Sequence, residues 1–518
     1  GSSANRLDRL TSVDSASPAV STLTTVNIEG AAAFRVNTAL ANTVKTIDAS
    51  KSTGGVNLGV AAGDNVTFTG GTGNDSFHIA TGVLTKDIKI DGGEGSDTLV
   101  FTDAGAINLT GVTNAEKLAG ISNFENLSFS GSNLQIDDAT LNRFTDKTIN
   151  VVEKGTIATT LNASAVLGST SKLNVDASEM TAGGFTFAIS NGIDGFKGSS
   201  QADTITVGAS AFLTDADVLN GGAGNNNALN FDTTGNTKQI VAAAQLTNVS
   251  NFNTWNIKDT ATTANEFELT VTNAVAAQNI NSTNNTLTIS AATNANDKVT
   301  IDASDVGSAY KLNVATGTAA AAAGAQTVKL GAGDDFITLN SAAAGATVNT
   351  VTLGGGKDTV EFATATAKAA ATATSGLLSN NVIKDFSFGT ATGTGANVDK
   401  LDLGAFGIVA AVAATDGIGK AGTTGNFQVV VLNDVSYDTQ QAVDTAVKAI
   451  ATGNTAGDNV VVFWQDSLGR VQVGYDLDAK DDTAGTYGTT GVVTLGVLEG
   501  VTITGVAANI DLGDLILV

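Results

Sequence analysis

Two nine-residue stretches follow one formula, G-G-x-G-x-D-x-U-x with U a large apolar residue. They are Gly70-Gly71-Thr72-Gly73-Asn74-Asp75-Ser76-Phe77-His78 and Gly92-Gly93-Glu94-Gly95-Ser96-Asp97-Thr98-Leu99-Val100. Glycines permit a turn too tight for residues with a Cβ and aim carbonyl oxygens inward. The Asp adds a carboxylate, and U begins a strand that buries itself. A hard cation such as calcium takes about six to eight oxygens, more than one turn offers, so turns of this kind must stack. In an ideal roll, turns roughly 18 residues apart lie on the same side. The 22 residues from Asp75 to Asp97 therefore make one coil with a small insertion.

The corners sit inside a larger repeat. A hydrophobic-Asp-Ala-Ser signature occurs at Ile47-Asp48-Ala49-Ser50, Val175-Asp176-Ala177-Ser178 and Ile301-Asp302-Ala303-Ser304, offset by 128 and then 126 residues. Asp75 follows Ile47 by 28 residues, Asp203 follows Val175 by 28, and Asp335 follows Ile301 by 34. The next glycine turns come 22, 23 and 23 residues later, at Asp97, Asn226 and Asp358. Each copy closes on an aromatic-centred strand at Phe124, Phe252 or Phe386. Four landmarks in one order predict three tandem modules, 46–173, 174–299 and 300–404, between an N-terminal remnant over 1–45 and a β-rich C-terminal domain over 405–518.

Between the corners apolar and polar residues alternate, as in Phe185-Thr186-Phe187-Ala188-Ile189 and Val299-Thr300-Ile301, which is strand periodicity. The predicted fold class is all-β, a calcium-binding parallel β-roll or β-solenoid. Helices are expected near Ala363–Ala371 and over Thr439–Ala451, where Ala442, Val443, Ala446, Val447 and Ile450 would share a face. Ala319–Ala323 reads as a helix or as an inserted loop. Around Trp464 a strand hairpin is expected.

The candidate calcium ligands of the first module are Asp75 with Gly71 and Gly73, and Asp97 with Gly93 and Gly95. In the third they are Asp335 with Gly331 and Gly333, and Asp358 with Gly354 and Gly356, with Leu330 and Leu353 replacing the leading glycines. The second module has decayed: Ser200 replaces a glycine and Asn226 stands where Asp is expected. Asp203 there keeps a turn, with or without a metal, and Asp217 is a possible compensating ligand. His78, at the variable last position of its motif, reads as a strand side chain.

Composition narrows the chemistry. Asp and Glu number 50 against 26 Lys and Arg, a net charge of −24, which disfavours nucleic acid or an anionic membrane as partner and suits several bound Ca2+ ions. With no Cys and one His, disulfides, thiolate metal sites and multi-histidine centres are excluded, and no nucleophile-His-acid set exists, so the chain does not read as an enzyme. No apolar run approaches the ~18 residues of a membrane span, so membrane insertion is not expected. Gly1-Ser2-Ser3 reads as a tag remnant, which would leave the natural N-terminus, and with it a cell-envelope anchor, in a missing preceding part.

On these glycine-Asp nonapeptides the sequence resembles the RTX (repeats-in-toxin) family. The text from Val382, VIKDFSFGTATGTGANVDKLDLGAF, resembles the segment that closes the RTX region of type I secreted proteins, including the C-terminal domain of serralysin-like proteases. That resemblance implies Asp385, Asp399 and Asp402 as further calcium ligands, although the loop from Ser387 to Val398 is longer than the family shows. The zinc-binding histidines of those proteases are absent. The tail Asp511-Leu512-Gly513-Asp514-Leu515-Ile516-Leu517-Val518 resembles an uncleaved type I secretion signal, and an edge strand is compatible with it.

The acidic, cysteine-free, Thr- and Ala-rich composition is similar to that of bacterial surface-layer (S-layer) proteins. Taken with the RTX likeness, it implies a secreted structural protein that self-assembles into a calcium-dependent lattice on the cell surface. The alternative is the distal part of an RTX adhesin that grips a host or neighbouring cell. A third reading is a secreted enzyme or toxin whose active part lies outside this chain.

Overall fold

The structure, a computed structural model, describes residues 5–10, 13–14, 17–61, 65–144, 147–232, 238–259, 265–292, 297–317, 326–340, 349–363, 381–388, 398–404, 417–420, 427–451, 460–476, 492–510 and 515–516. The chain forms two compact units, residues 1–229 with 248–252, and residues 230–247 with 253–518. It is mostly β, in long all-parallel sheets consistent with a parallel β-solenoid.

In the first unit, alternate strands of the chain fall in different sheets. One sheet stacks strands from Asn5–Leu7 to Val249–Ser250 in sequence order, all parallel. Facing strands come at first from a sheet that runs from Thr25–Gly30 to Ile121–Ser122, and later from one that starts at Ala106–Asn108 and continues through Phe185–Ala188 and Thr204–Val207. The first-module corners thus join the second sheet to the first, and the second-module corners join the first sheet to the third.

Alternation decides which side chains enter. In Thr98–Phe101, Leu99 and Phe101 are buried while Thr98 and Val100 are half-buried, and the in-register partners Phe77 and Leu127 continue the Leu99 row. Phe68 stacks on Phe77 with ring centroids 4.8 Å apart. Each such large apolar side chain removed from water contributes about 1.5–3 kcal/mol. Outside, polar rows bond along the stack, as where Asn174 Nδ2 donates to Asn150 Oδ1 at 2.9 Å.

The hydrophobic-Asp-Ala-Ser signature makes the same turn three times. Asp48, Asp176 and Asp302 each accept the backbone N–H of the Ser two residues on, and Ala49, Ala177 and Ala303 are buried.

The second unit repeats the arrangement with two sheets. One runs from Thr254–Lys258 through Phe336–Asn340 and Thr359–Ala363 to Lys400–Asp402 and Leu515–Ile516. The other runs from Lys238–Val241 to Asn381–Lys384 and then meets Val493–Glu499 in parallel. There the sheet turns mixed, through an antiparallel hairpin of Val460–Gln465 and Val471–Asp476. The helix Gln440–Ile450 packs on it, with Thr439 as N-cap and Val443, Val447 and Ile450 buried against Val462 and Trp464. Both the hairpin around Trp464 and this helix match the sequence expectation. Short helices at Asn273–Asn279 and Ile503–Asn509 were not anticipated. The expected element at Ala319–Ala323, most of Ala363–Ala371, the loop residues 389–397 and tail residues 511–514 and 517–518 lie outside the described residues. Among the described residues no helix is long and apolar enough to cross a membrane.

Candidate functional site

The glycine corners carry an Asp inward, or Asn227 in one case, and these side chains form ladders. The leading Asp of each pair is held identically. Oδ1 of Asp75, Asp203 and Asp335 accepts a strand N–H from the preceding coil, that of Val56 (2.7 Å), Phe185 (2.7 Å) and Leu312 (2.8 Å) respectively. Oδ2 accepts the N–H four residues back, from Gly71, Ser199 and Gly331. Both oxygens of the leading carboxylate are therefore satisfied by the backbone.

The second member of each pair receives the N–H of the first. Asp75 N donates to Asp97 Oδ1 at 2.7 Å, Asp335 N to Asp358 Oδ1 at 2.8 Å, and Asp203 N to Asn227 Oδ1 at 2.9 Å. The last contact corrects the sequence alignment. Asn227, not Asn226, occupies the carboxylate position of the second module, because that turn holds one more residue and Asn226 absorbs it in a left-handed conformation with φ of 64°. A further rung follows, with Asp97 N donating to Glu125 Oε2 (2.8 Å) and Asp358 N to Asp399 Oδ1 (3.0 Å).

At this second position the N–H four residues back is lost to another acceptor. Gly93, with φ of +94°, points its N–H at Asp91 Oδ1, and Gly354, with φ of +86°, points its N–H at Asp385 Oδ2. Only glycine takes this conformation without strain. The consequence is sharpest at Asp97: the residue is fully buried and its Oδ2 has no hydrogen-bond partner. A point where a Cβ on Gly92 would sit lies 1.9 Å from Asn123 O and 2.8 Å from Asp97 Oδ2, so the orphan oxygen shares a niche with a backbone carbonyl.

The remaining predicted glycines place backbone against backbone. A Cβ on Gly73 or Gly333 would fall 2.6 Å from Gly54 C or 1.9 Å from Tyr310 O, while Gly95 and Gly356 adopt positive φ. Asp385, also at positive φ (58°), caps Leu353 N with Oδ1, and Asp399 Oδ2 accepts Ser387 N, so both join the Asp358 corner. Asp402 does not: it ends strand Lys400–Asp402 and closes its own turn on Gly404 N. His78 is a strand side chain whose Nε2 lies 3.2 Å from Ser76 Oγ.

Burial sets the electrostatics. It pushes Asp97 up to about 7, with the charges of Asp75, Glu125 and Asp91 adding to the effect and the Asp75 N–H opposing it. It pushes Asp335 up to about 7 and, with the charges of Asp399, Asp335 and Asp334 adding, Asp358 up to about 8. Asp75, Asp203 and Asp399 move in the same direction for the same reason. Each ladder thus favours a neutralising partner, whether a proton or a cation.

Sequence reading missed a parallel ladder in the first unit. Asp194 Oδ2 accepts Ser190 N at 2.9 Å, four residues back as at the glycine corners, and Asp194 N donates to Asp217 Oδ1 at 2.7 Å. Asp217 therefore serves Asp194 and does not compensate at Asp203. The available signal was the Ser-x-x-x-Asp spacing, which lacks the glycines.

The residues fit a hard cation to the extent that an oxygen-only niche with one unsatisfied carboxylate oxygen fits it. Among the described residues no group of three or more His, Cys, Asp or Glu converges as a metal cluster, so an ion at this niche would draw on backbone carbonyls, which calcium accepts. No protein-family model, no curated protein and no solved structure matches this chain.

Proposed function

We propose that this chain is a structural protein of a bacterial surface layer, secreted by a type I route and made rigid outside the cell by calcium at its glycine corners. The observation that carries the proposal is the buried, unpartnered Oδ2 of Asp97 in a niche it shares with the backbone carbonyl of Asn123. Such an oxygen costs about 1–3 kcal/mol or more while unsatisfied, and more as a charge. Calcium bound there would supply the missing positive charge.

The chain's own residues do the rest. Asp75, Asp97, Asp335, Asp358, Asp385 and Asp399 hold backbone N–H groups of neighbouring turns, so neutralising them fastens one coil to the next. An ion that binds only the folded chain adds about 2.7 kcal/mol per site at a hundredfold excess over Kd. Scarce calcium inside the cell then leaves the chain loose for export, and abundant calcium outside drives folding. The surface-layer assignment draws further support from the cysteine-free, acidic composition and the long parallel sheets. Electron microscopy of the purified chain tests it: ordered two-dimensional arrays are expected with calcium and none in chelator, and arrays that persist in chelator, or never form, reject it.

A further inference from the structure

The first unit contains the same corner twice, once written with carboxylates and once with amides. Gly92 N donates to Ser122 O, and Gly221 N to Ser250 O. Asn123 and Asn251, each in Ser-Asn-Phe, have φ of 56° and 62°. Asn123 Nδ2 donates to Asp91 Oδ1, and Asn251 Nδ2 to Asn220 Oδ1. Gly93 N donates to Asp91 Oδ1, and Gly222 N to Asn220 Oδ1. The niches correspond group for group: a Cβ on Gly221 would lie 2.5 Å from Asn251 O and 2.8 Å from Asn227 Nδ2, against 1.9 Å from Asn123 O and 2.8 Å from Asp97 Oδ2 for one on Gly92.

The chemistry of the two niches differs most at the side-chain atom that enters them. Asn227 Nδ2 donates to Gly221 O at 2.7 Å and to Asn251 O at 2.9 Å, filling the niche with hydrogen bonds. Asp97 Oδ2, an acceptor in the same place, has no partner. Its neighbour Asp91 is likewise replaced by Asn220, and in sequence Glu125 is matched by Asn253.

We infer that the Asn227 carboxamide is a built-in substitute for the cation, so that the Gly221–Asn227 corner holds its coils together without metal while the Gly92–Asp97 corner depends on it. The amide N–H2 supplies to the two carbonyls the positive partial charge that a divalent ion supplies beside Asp97. A chain with one corner of each kind keeps a permanently folded stretch next to a calcium-gated one. This inference rests on the calcium reading above and says where in the first unit that reading does not apply.

The test uses the full chain and two double variants, N220D/N227D and D91N/D97N, with calcium chloride as probe, calorimetry for stoichiometry and thermal melts in calcium and in chelator. N220D/N227D is expected to bind about one calcium ion more than wild type and to melt lower in chelator, with calcium restoring the loss. D91N/D97N is expected to bind about one ion fewer and to melt higher in chelator than wild type. If N220D/N227D gains no calcium and melts like wild type in chelator, the substitution idea is overturned while the calcium reading stands. If N220D/N227D does not fold under either condition, D91N/D97N decides: unchanged stoichiometry and melting reject the inference. A wild-type chain that ignores calcium altogether removes the underlying reading instead.

Discussion

The backbone N–H of Asp75 is bonded to Asp97 Oδ1 at 2.7 Å across 22 residues of chain, and neither group is exposed to water. Each coil of the ladder is thus capped by the acid of the next. The carboxylates are structural acceptors first, and among the described carboxylates of the glycine corners Asp97 Oδ2 is a fully buried oxygen left without a partner.

Removing that acceptor should therefore be costly. Asp97→Ala leaves Asp75 N–H buried without a partner and is expected to lower stability in chelator by about 1–3 kcal/mol, read by urea unfolding. Asp97→Asn keeps Oδ1 and turns Oδ2 into a donor, and is expected to be no less stable than wild type in chelator. An Asn variant as damaged as the Ala variant would contradict the assignment of the two oxygens.

Coil-to-coil contact at the corners leaves no space for a side chain. Gly92→Ala places a Cβ 1.9 Å from Asn123 O and is expected to cost about 3 kcal/mol. At Gly82, where a Cβ would meet nothing within 4 Å, the same change is expected to stay within about 0.5 kcal/mol. Chemical denaturation of both variants checks the contrast, and equal costs would be inconsistent with it.

A pH dependence opposite to that of ordinary paired carboxylates follows from Glu153, away from the corners. Burial pushes Glu153 up to about 7, opposed by the Phe129 N–H and the Ser128 hydroxyl it accepts from. Its folded-state value lies above its unfolded value of 4.5, so its contribution is complete below about 4.5 and is lost as pH rises through about 7. Wild type at fixed calcium should lose on the order of 2 kcal/mol more than Glu153→Gln between pH 5 and pH 8. Gln retains the Oε1 acceptor, so parallel profiles for the two proteins would show that this carboxyl does not titrate as argued.

Much of this was readable from local chemistry. Period-two alternation at Phe185–Ala188 and glycine spacing around Asp75 and Asp97 were enough to predict parallel coils, and Thr439 with apolar residues at 443, 447 and 450 marked the helix. Other features depend on where the chain goes next. Three consecutive asparagines, Asn225 to Asn227, offer no signal of which one points inward, since the choice is made by a backbone flip at Asn226. The Asp194–Asp217 ladder was hidden because a Ser hydroxyl and N–H do the work that a glycine does elsewhere. The exchange of partner sheets within the first unit has no local signature, because inward and outward residues alternate identically in all three.

The most direct test is a crystal structure of the chain grown in calcium, with anomalous diffraction recorded to locate the ions. The account expects an ion in contact with Asp97 Oδ2, and none beside Asn227 Nδ2. A well-ordered Asp97 corner with no ion in saturating calcium would contradict it.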